Sequence, residues 1–233
     1  MARIHITTMD DIRSQLTLQT WMSAAFPTGA FTCSHGLETA IEDGRIQDEK
    51  TCKAWIASLI EHGSLWNDAL ITVNAYKLAD RTLQDNLNEL NQLSLALCCG
   101  AERLRETTQL GLAFAKAADT ISKQTRSALT LLEAPVSLPV VVGAQGALSG
   151  IPLKQLLPAS LQASSSNLVW ICTRLVPLGQ SVALNVIAEL QETISLTTER
   201  ALNSSLDDIG SSTILADLAS IEHEALRSRI CIT

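Results

Sequence analysis

The sequence predicts an all-α protein: a single-domain, multi-helix bundle built around one buried helix with a proline in its middle. Three observations carry that expectation. Hydrophobic residues make up 46% of the 233 positions and charged residues 18%, enough for a large core. Aromatics are only 3%, so Leu and Ala do most of the packing, and both favour helix. The third is the stretch Leu168 to Leu190. Apolar residues recur there at Leu168, Ile171, Leu175, Leu178, Val182, Val186 and Leu190, the three- and four-residue steps of a helix. Most of its other face is apolar too, which belongs in a core or between subunits. Pro177 removes a backbone donor and frees the carbonyl of Thr173. Arg174 and Gln180 bring polar groups that need partners. The expectation is a kinked, buried helix with a polar network at Arg174, Pro177 and Gln180.

The remaining elements follow in order. Residues 1–9 read as a loose arm. Asp10 or Asp11 caps a first helix carrying Ile12, Leu16, Trp21 and Met22. Phe26-Pro27-Thr28-Gly29 ends it. A short segment from Ala30 to Gly36 leads into a small helix at Leu37 to Ile41, closed by Gly44. Asp48 caps the next, which carries Cys52, Trp55, Ile56, Leu59 and Ile60. Another follows Ser64. Leu83 to Ala118 is helical, either as one helix or as two broken near Gly100. Residues 120–137 form a connection with a short Leu-rich piece. Three valines after Pro139 suit a strand. Proline in a first helical turn and the absence of a partner strand decide for helix. Small residues from Gly143 to Gly150 allow close helix packing. Pro152 and Pro158 mark turns, and residues 160–166 start the central helix. The stretch 193–205, a loop at 207–212 and a last helix over about 213–226 complete the chain.

A net charge of −7 and a pI near 5.1 speak against nucleic acid as partner, since phosphates demand Lys and Arg patches. MARIHITTMDD lacks the apolar core of a secretory signal, and no run is long enough to span a membrane. None of the six cysteines forms a CxxC pair. These features predict a reduced, cytoplasmic protein.

Motifs for chemistry are sparse. There is no phosphate-binding GxxxxGK[ST] loop and no GxSxG elbow. His223-Glu224 begins like HExxH, but Arg227 stands where the second His belongs. Cys33 and His35 reach toward a soft metal only as a pair, and two ligands rarely suffice. Glu102, Arg103, Arg105 and Glu106 read as a solvated, salt-bridged helix face. The residues point to an interaction protein rather than an enzyme, with no cofactor.

Four stretches together resemble one family. Phe26-Pro27-Thr28-Gly29-Ala30-Phe31-Thr32-Cys33-Ser34-His35-Gly36-Leu37-Glu38 is similar to a P-x-G-G-F-S-x-S-x-G-L-E segment. Leu138 to Ile151 is similar to P-x-x-x-G-x-x-x-x-x-G-I. Arg174-Leu175-Val176-Pro177-Leu178-Gly179-Gln180 is similar to R-L-x-P-L-G-Q, the most specific of the four. Ala216 to Glu224, with Ser228-Arg229 after it, resembles a D-I-A-S-M-x-H-E ending. Their order and spacing resemble those of UreF, the urease accessory protein family. Ala30 replaces the family's second Gly, and the ending Arg229 to Thr233 departs from its usual tail.

The resemblance implies an all-helical, non-catalytic scaffold that forms a homodimer. It implies binding to a UreD/UreH-like accessory protein, recruitment of a UreG-like GTPase, and delivery of nickel into apo-urease. Carried onto this chain, it places the partner interface at Phe26, Pro27, Gly29, Phe31, Ser34 and His35. The second part of that interface falls at Asp217, Ser220, His223, Glu224 and Arg229, in a C-terminal segment over about 217–233 that depends on its partner for order. The alternative is a direct nickel metallochaperone that binds metal through Cys33 and His35 across a dimer.

Overall fold

A computed structural model describes residues 9–81, 83–121 and 126–233. Apart from Met9, the arm expected over residues 1–9 lies outside the described residues, as do residues 122–125 of the connection. The described residues contain helices and turns but no strand. The order is α1 (Met9–Trp21), α2 (Leu37–Glu42), α3 (Glu49–His62), α4 (Ser64–Asp80), α5 (Gln84–Ala96), α6 (Ala101–Ile121), α7 (Leu138–Leu148), α8 (Leu153–Leu175), α9 (Gln180–Asn203) and α10 (Ile214–His223).

The organising helix is α4. It is buried on nearly every side, through Leu65, Trp66, Ala69, Leu70, Ile71, Val73, Ala75 and Ala79. It separates two apolar clusters. Leu65, Leu70 and Val73 pack with α2, α3, α8, α9 and α10. Ile71, Ala75 and Ala79 pack with α1, α5, α6 and α7. Its tightest neighbour is α7, whose Val140, Val141 and Ala144 are fully buried. A Cβ on Gly143 would sit 2.4 Å from the Thr72 carbonyl oxygen, so the small residue at 143 sets how closely the two helices approach. The valine run is therefore helical as expected, with Pro139 in the first turn.

Local signals explain most boundaries. Asp48 caps α3 by accepting the Thr51 amide at 2.8 Å, and the Asp48 amide donates in return to the Thr51 hydroxyl at 3.1 Å. The segment after Leu83 is two helices with the break at Leu97 to Gly100, one of the two arrangements expected.

Three expectations are corrected. The stretch 168–190 is not one kinked helix. α8 ends at Leu175 and α9 begins at Gln180. Pro177 forces Val176 into extended backbone, φ −114° and ψ 142°, which ends the helix rather than bending it. Arg174 and Gln180 are both exposed, so no buried polar network forms at that joint. The Arg174 guanidinium instead donates to the Phe31 carbonyl across the surface. Pro158 does not mark a turn; it lies inside α8. The carbonyl it frees belongs to Lys154, an exposed residue, so water can satisfy it. Finally, Glu102, Arg103 and Glu106 are not solvated: they are 5%, 9% and 3% exposed.

Candidate functional site: a buried charge clamp

Those three residues lie on one face of α6, and two distant segments cover them. One is the loop ahead of α2; the other runs from α10 to the last described residue. The loop is shaped by left-handed backbone at Gly29, His35 and Gly36, with φ of 84°, 54° and 77°. Gly36 must be glycine for a second reason. A Cβ there would lie 2.5 Å from the Ser220 amide nitrogen, because α10 packs directly on this turn.

The first residues of α2 then present Glu38 to the tail. Its carboxylate accepts the Ile230 and Cys231 amides at 2.7 and 2.8 Å. His223 Nε2 lies 3.2 Å from the same group. His223 is fully buried, and its Nδ1 is 2.6 Å from Glu102 Oε2. Glu102 Oε1 takes Arg229 and, at 3.3 Å, Arg105. The Glu224 carboxylate accepts the Glu102 amide at 3.1 Å, so the end of α10 also caps the start of α6.

A second node is built on Glu106. Arg103 Nη1 lies 2.5 Å from it and His35 Nε2 2.9 Å. The Arg103 contact is an ion pair whose angle falls short of an aligned hydrogen bond, since Nη1 has no hydrogen-bond partner. Thr233 Oγ1 donates to the other oxygen of Glu106 at 2.7 Å. Backbone bonds finish the closure: Ser34 N–H to Thr233 O at 2.6 Å, and Ile232 N–H to Thr32 O at 2.7 Å. Loop, α2, α6, α10 and tail are thus tied through two buried carboxylate nodes.

Electrostatics follow the geometry. Burial pushes the Glu106 carboxyl up, but Arg103 and His35 outweigh it and hold the group well below the usual carboxylate range. Glu38 behaves alike: burial raises it, and the Ile230 and Cys231 amides with His223 bring it below its ordinary value. Burial lowers Arg103, but Glu106 and Asp68 raise it further, so it stays charged. Burial, then Glu106, pushes the Cys33 thiol up to about 11, and burial, then Glu38, does the same to Cys231, so both keep their protons at neutral pH.

Because the folded values of Glu38 and Glu106 lie below 4.5, their stabilising contribution is fully present above that pH. It is lost as pH falls below 4.5 through the folded values. Asp68 and Asp217, both raised by burial, act in the opposite sense. The melting temperature of Glu38→Gln should therefore lie below that of the parent near neutral pH, with the gap closing as pH falls under about 4.5. Parallel thermal melts check this, and a gap that stays constant across pH would remove Glu38 from the clamp.

The sequence-derived residues divide between these surroundings. Ser34, Ser220 and His223 are buried, and His35 sits against Glu106. Phe26 is also buried, meeting Phe114 edge-on at 5.3 Å in the α1–α6 core. Pro27, Gly29, Phe31, Glu224 and Arg229 are exposed or half-buried, with Phe31 at 61%. Asp217 is half-buried beside Ser211. Glu38, Arg103, Glu106 and Thr233 are not among the site residues that the sequence points to. Glu38 does close the first family-like stretch, which is the available signal. Among the described residues, no three His, Cys, Asp or Glu side chains are grouped to hold a metal ion. No helix among them is long and apolar enough to cross a membrane.

Fold and clamp define an all-helical protein whose loop 26–37 and terminal segment form one ionically closed unit on the α6 face. Comparison with known proteins places the chain in a family. The UreF family model matches residues 46–191. The urease accessory protein UreF of Agrobacterium fabrum is 40% identical over 219 residues, 94% of this chain and 96% of its own length. That of Bradyrhizobium sp. (strain ORS 278) is 40% identical over 214 residues, 91% and 89% of the two chains. That of Rhodopseudomonas palustris (strain TIE-1) is 37% identical over 215 residues, 91% and 90%. The chain belongs to the UreF family of urease accessory proteins.

Proposed function

We propose that this chain is a non-catalytic, cytoplasmic scaffold in urease maturation. It works as a homodimer that joins a UreD/UreH-like protein and a UreG-like GTPase, and the assembly delivers nickel into apo-urease. The clamped unit is the surface for the UreD/UreH-like partner.

One observation carries this reading. α10 buries Ala216, Ala219, Ser220 and His223, and turns Ile214, Leu215, Leu218 and Ile221 to solvent at 44–68% exposure. Ile230 and Ile232 of the tail are exposed beside the clamp, at 67% and 52%. A contiguous apolar surface on a rigid element favours a protein partner, since solvated monomers rarely keep one. The clamp fixes that surface: charged groups inside, apolar groups outside. It is a positioning device, and each of its carboxylates is engaged by a partner within the chain.

Co-expression with UreD/UreH-like and UreG-like proteins, followed by size-exclusion chromatography with light scattering, tests the reading. A complex containing paired copies of this chain is expected. The double substitution Leu218→Asp/Ile221→Asp should remove the UreD/UreH-like protein from that complex and leave the melting temperature of the isolated chain nearly unchanged. Retention of the partner would discard the α10 face as its contact.

A further inference from the structure

Among the described residues, His223 is the histidine with a carboxylate at each ring nitrogen. The ring is fully buried, with Nδ1 2.6 Å from Glu102 and Nε2 3.2 Å from Glu38. Charged and titratable groups reach it from three other elements. α2 brings Glu38. α6 brings Glu102, with Arg105 against it at 3.3 Å. The tail brings Arg229 to Glu102 and the Cys231 thiol to Glu38. On α10 itself, Glu224 is turned to the Glu102 amide, while Asp217 and Glu222 lie beside Ser211 and Arg45.

Both carboxylates are set to accept. Glu38 is held below its ordinary value, so at neutral pH it is ionised and only accepts. Glu102 gives its other oxygen to two guanidinium groups. A ring nitrogen without a proton is itself an acceptor. With both protons in place, the ring donates to both carboxylates and puts a positive charge between them. With one proton, one nitrogen turns a lone pair on a carboxylate oxygen, and that contact becomes repulsive. Among the described residues, His223 is also the one cation in ion-pair reach of Glu38. Both contacts lead to the tail: Glu38 accepts the Ile230 and Cys231 amides, and Glu102 accepts Arg229. Whichever nitrogen gives up its proton, a carboxylate that holds the tail loses a donor.

We propose that His223 is a proton-operated latch on the tail. Carrying both protons, it holds Glu38 and Glu102 together and keeps residues 229–233 docked. As pH rises it gives one proton to solvent base, and the tail is released. Its sense is opposite to that of Glu38 and Glu106, whose contribution is lost in acid. The latch belongs to the isolated chain and does not depend on the α10 contact proposed above. Its effect on a partner does rest on that reading, because release carries Ile230 and Ile232 out of the proposed surface.

Nitrogen NMR of the full chain with isotopically labelled histidine tests it, the ring signals being assigned through bonds. Near neutral pH both nitrogens of His223 should carry a proton. The pH is then raised until the second proton is lost, and amide exchange is followed as a protection factor, which divides out the faster chemistry of exchange in base. Across that step the Ile230, Cys231 and Ile232 amides should lose protection about tenfold or more, the effect of one charged hydrogen bond. The Val141 and Ala144 amides of α7 should keep theirs. A singly protonated His223 near neutral pH, or tail protection unchanged across the step, would overturn the latch without recourse to any variant. Loss of α7 protection in the same step would overturn it too, by showing global unfolding instead of local release. His35 titrates in the same spectra, and a tail that follows its signal would remove His223 from the role. His223→Gln, with no ring proton to lose, should leave tail protection independent of pH over the same range.

Discussion

Glu106→Ala should lower the unfolding free energy by about 3–5 kcal/mol, the usual consequence of removing one partner from a buried ion pair. Arg103 is 9% exposed and cannot shed its charge, so its guanidinium is left buried with only Asp68 near by. Thr233 and His35 lose their acceptor at the same time. The loss should therefore be both global and local. Denaturant titration reads the first. Trypsin reads the second, because Arg227 and Arg229 lie between α10 and the docked residues 230–233 and should be cut faster once the tail loosens. The double variant Arg103→Met/Glu106→Leu should be less destabilised than Glu106→Ala, because no unpaired charge remains. If Glu106→Ala melts like the parent, the Arg103–Glu106–His35 node contributes nothing to the closure.

The clamp also shows what one sequence does and does not disclose. Asp48, Gly44 and Pro139 act through neighbours within four residues, so their roles as cap, stop and first-turn proline are legible in the chain itself. The all-helical class comes from periodicity, which is equally local. Pro177 is disruptive, as its chemistry demands, but it separates two helices instead of bending one. Its effect on the preceding Val176 favours extended backbone, and α8 and α9 are long enough to be stabilised separately by packing. The polarity of Glu102, Arg103 and Glu106 suggests solvent, and spacing alone cannot correct it. What buries them is chain far away in sequence: His35 lies 71 residues before the Glu106 it contacts, and His223 lies 121 residues after Glu102. His223 itself is placed by family resemblance, and its two carboxylate neighbours come from elements that the pattern along α10 does not mention. The core is legible in its chemistry, whereas the site exists only in its contacts.

The turn at Gly36 couples that site to the fold, and Gly36→Ala should cost about 2–5 kcal/mol, two effects being added. A left-handed backbone is disfavoured by roughly 1–2 kcal/mol for a residue with a Cβ. Overpacking costs typically about 1–3 kcal/mol more. The second effect is unavoidable because the nearest atoms are backbone: the Ser220 nitrogen at 2.5 Å and the Ala219 carbonyl carbon at 2.9 Å. No rotamer change relieves them; α10 has to move away. Moving α10 carries His223 off Glu38 and Glu102, and Glu224 off the start of α6, so the strain reaches the clamp directly. Gly29→Ala supplies the control. Gly29 has a similar φ of 84°, but a Cβ there would meet nothing within 4 Å. It should show the backbone cost alone, about 1–2 kcal/mol, and leave the tail docked. Denaturant melts of the two variants give the energies, and amide exchange at Ile230, Cys231 and Ile232 reports the tail. Equal losses for the two glycines, with the tail protected in both, would mean that contact between the loop and α10 does not hold the clamp shut. A larger loss at Gly36 with faster exchange at those three amides would show that one turn of backbone positions both halves of the proposed partner surface.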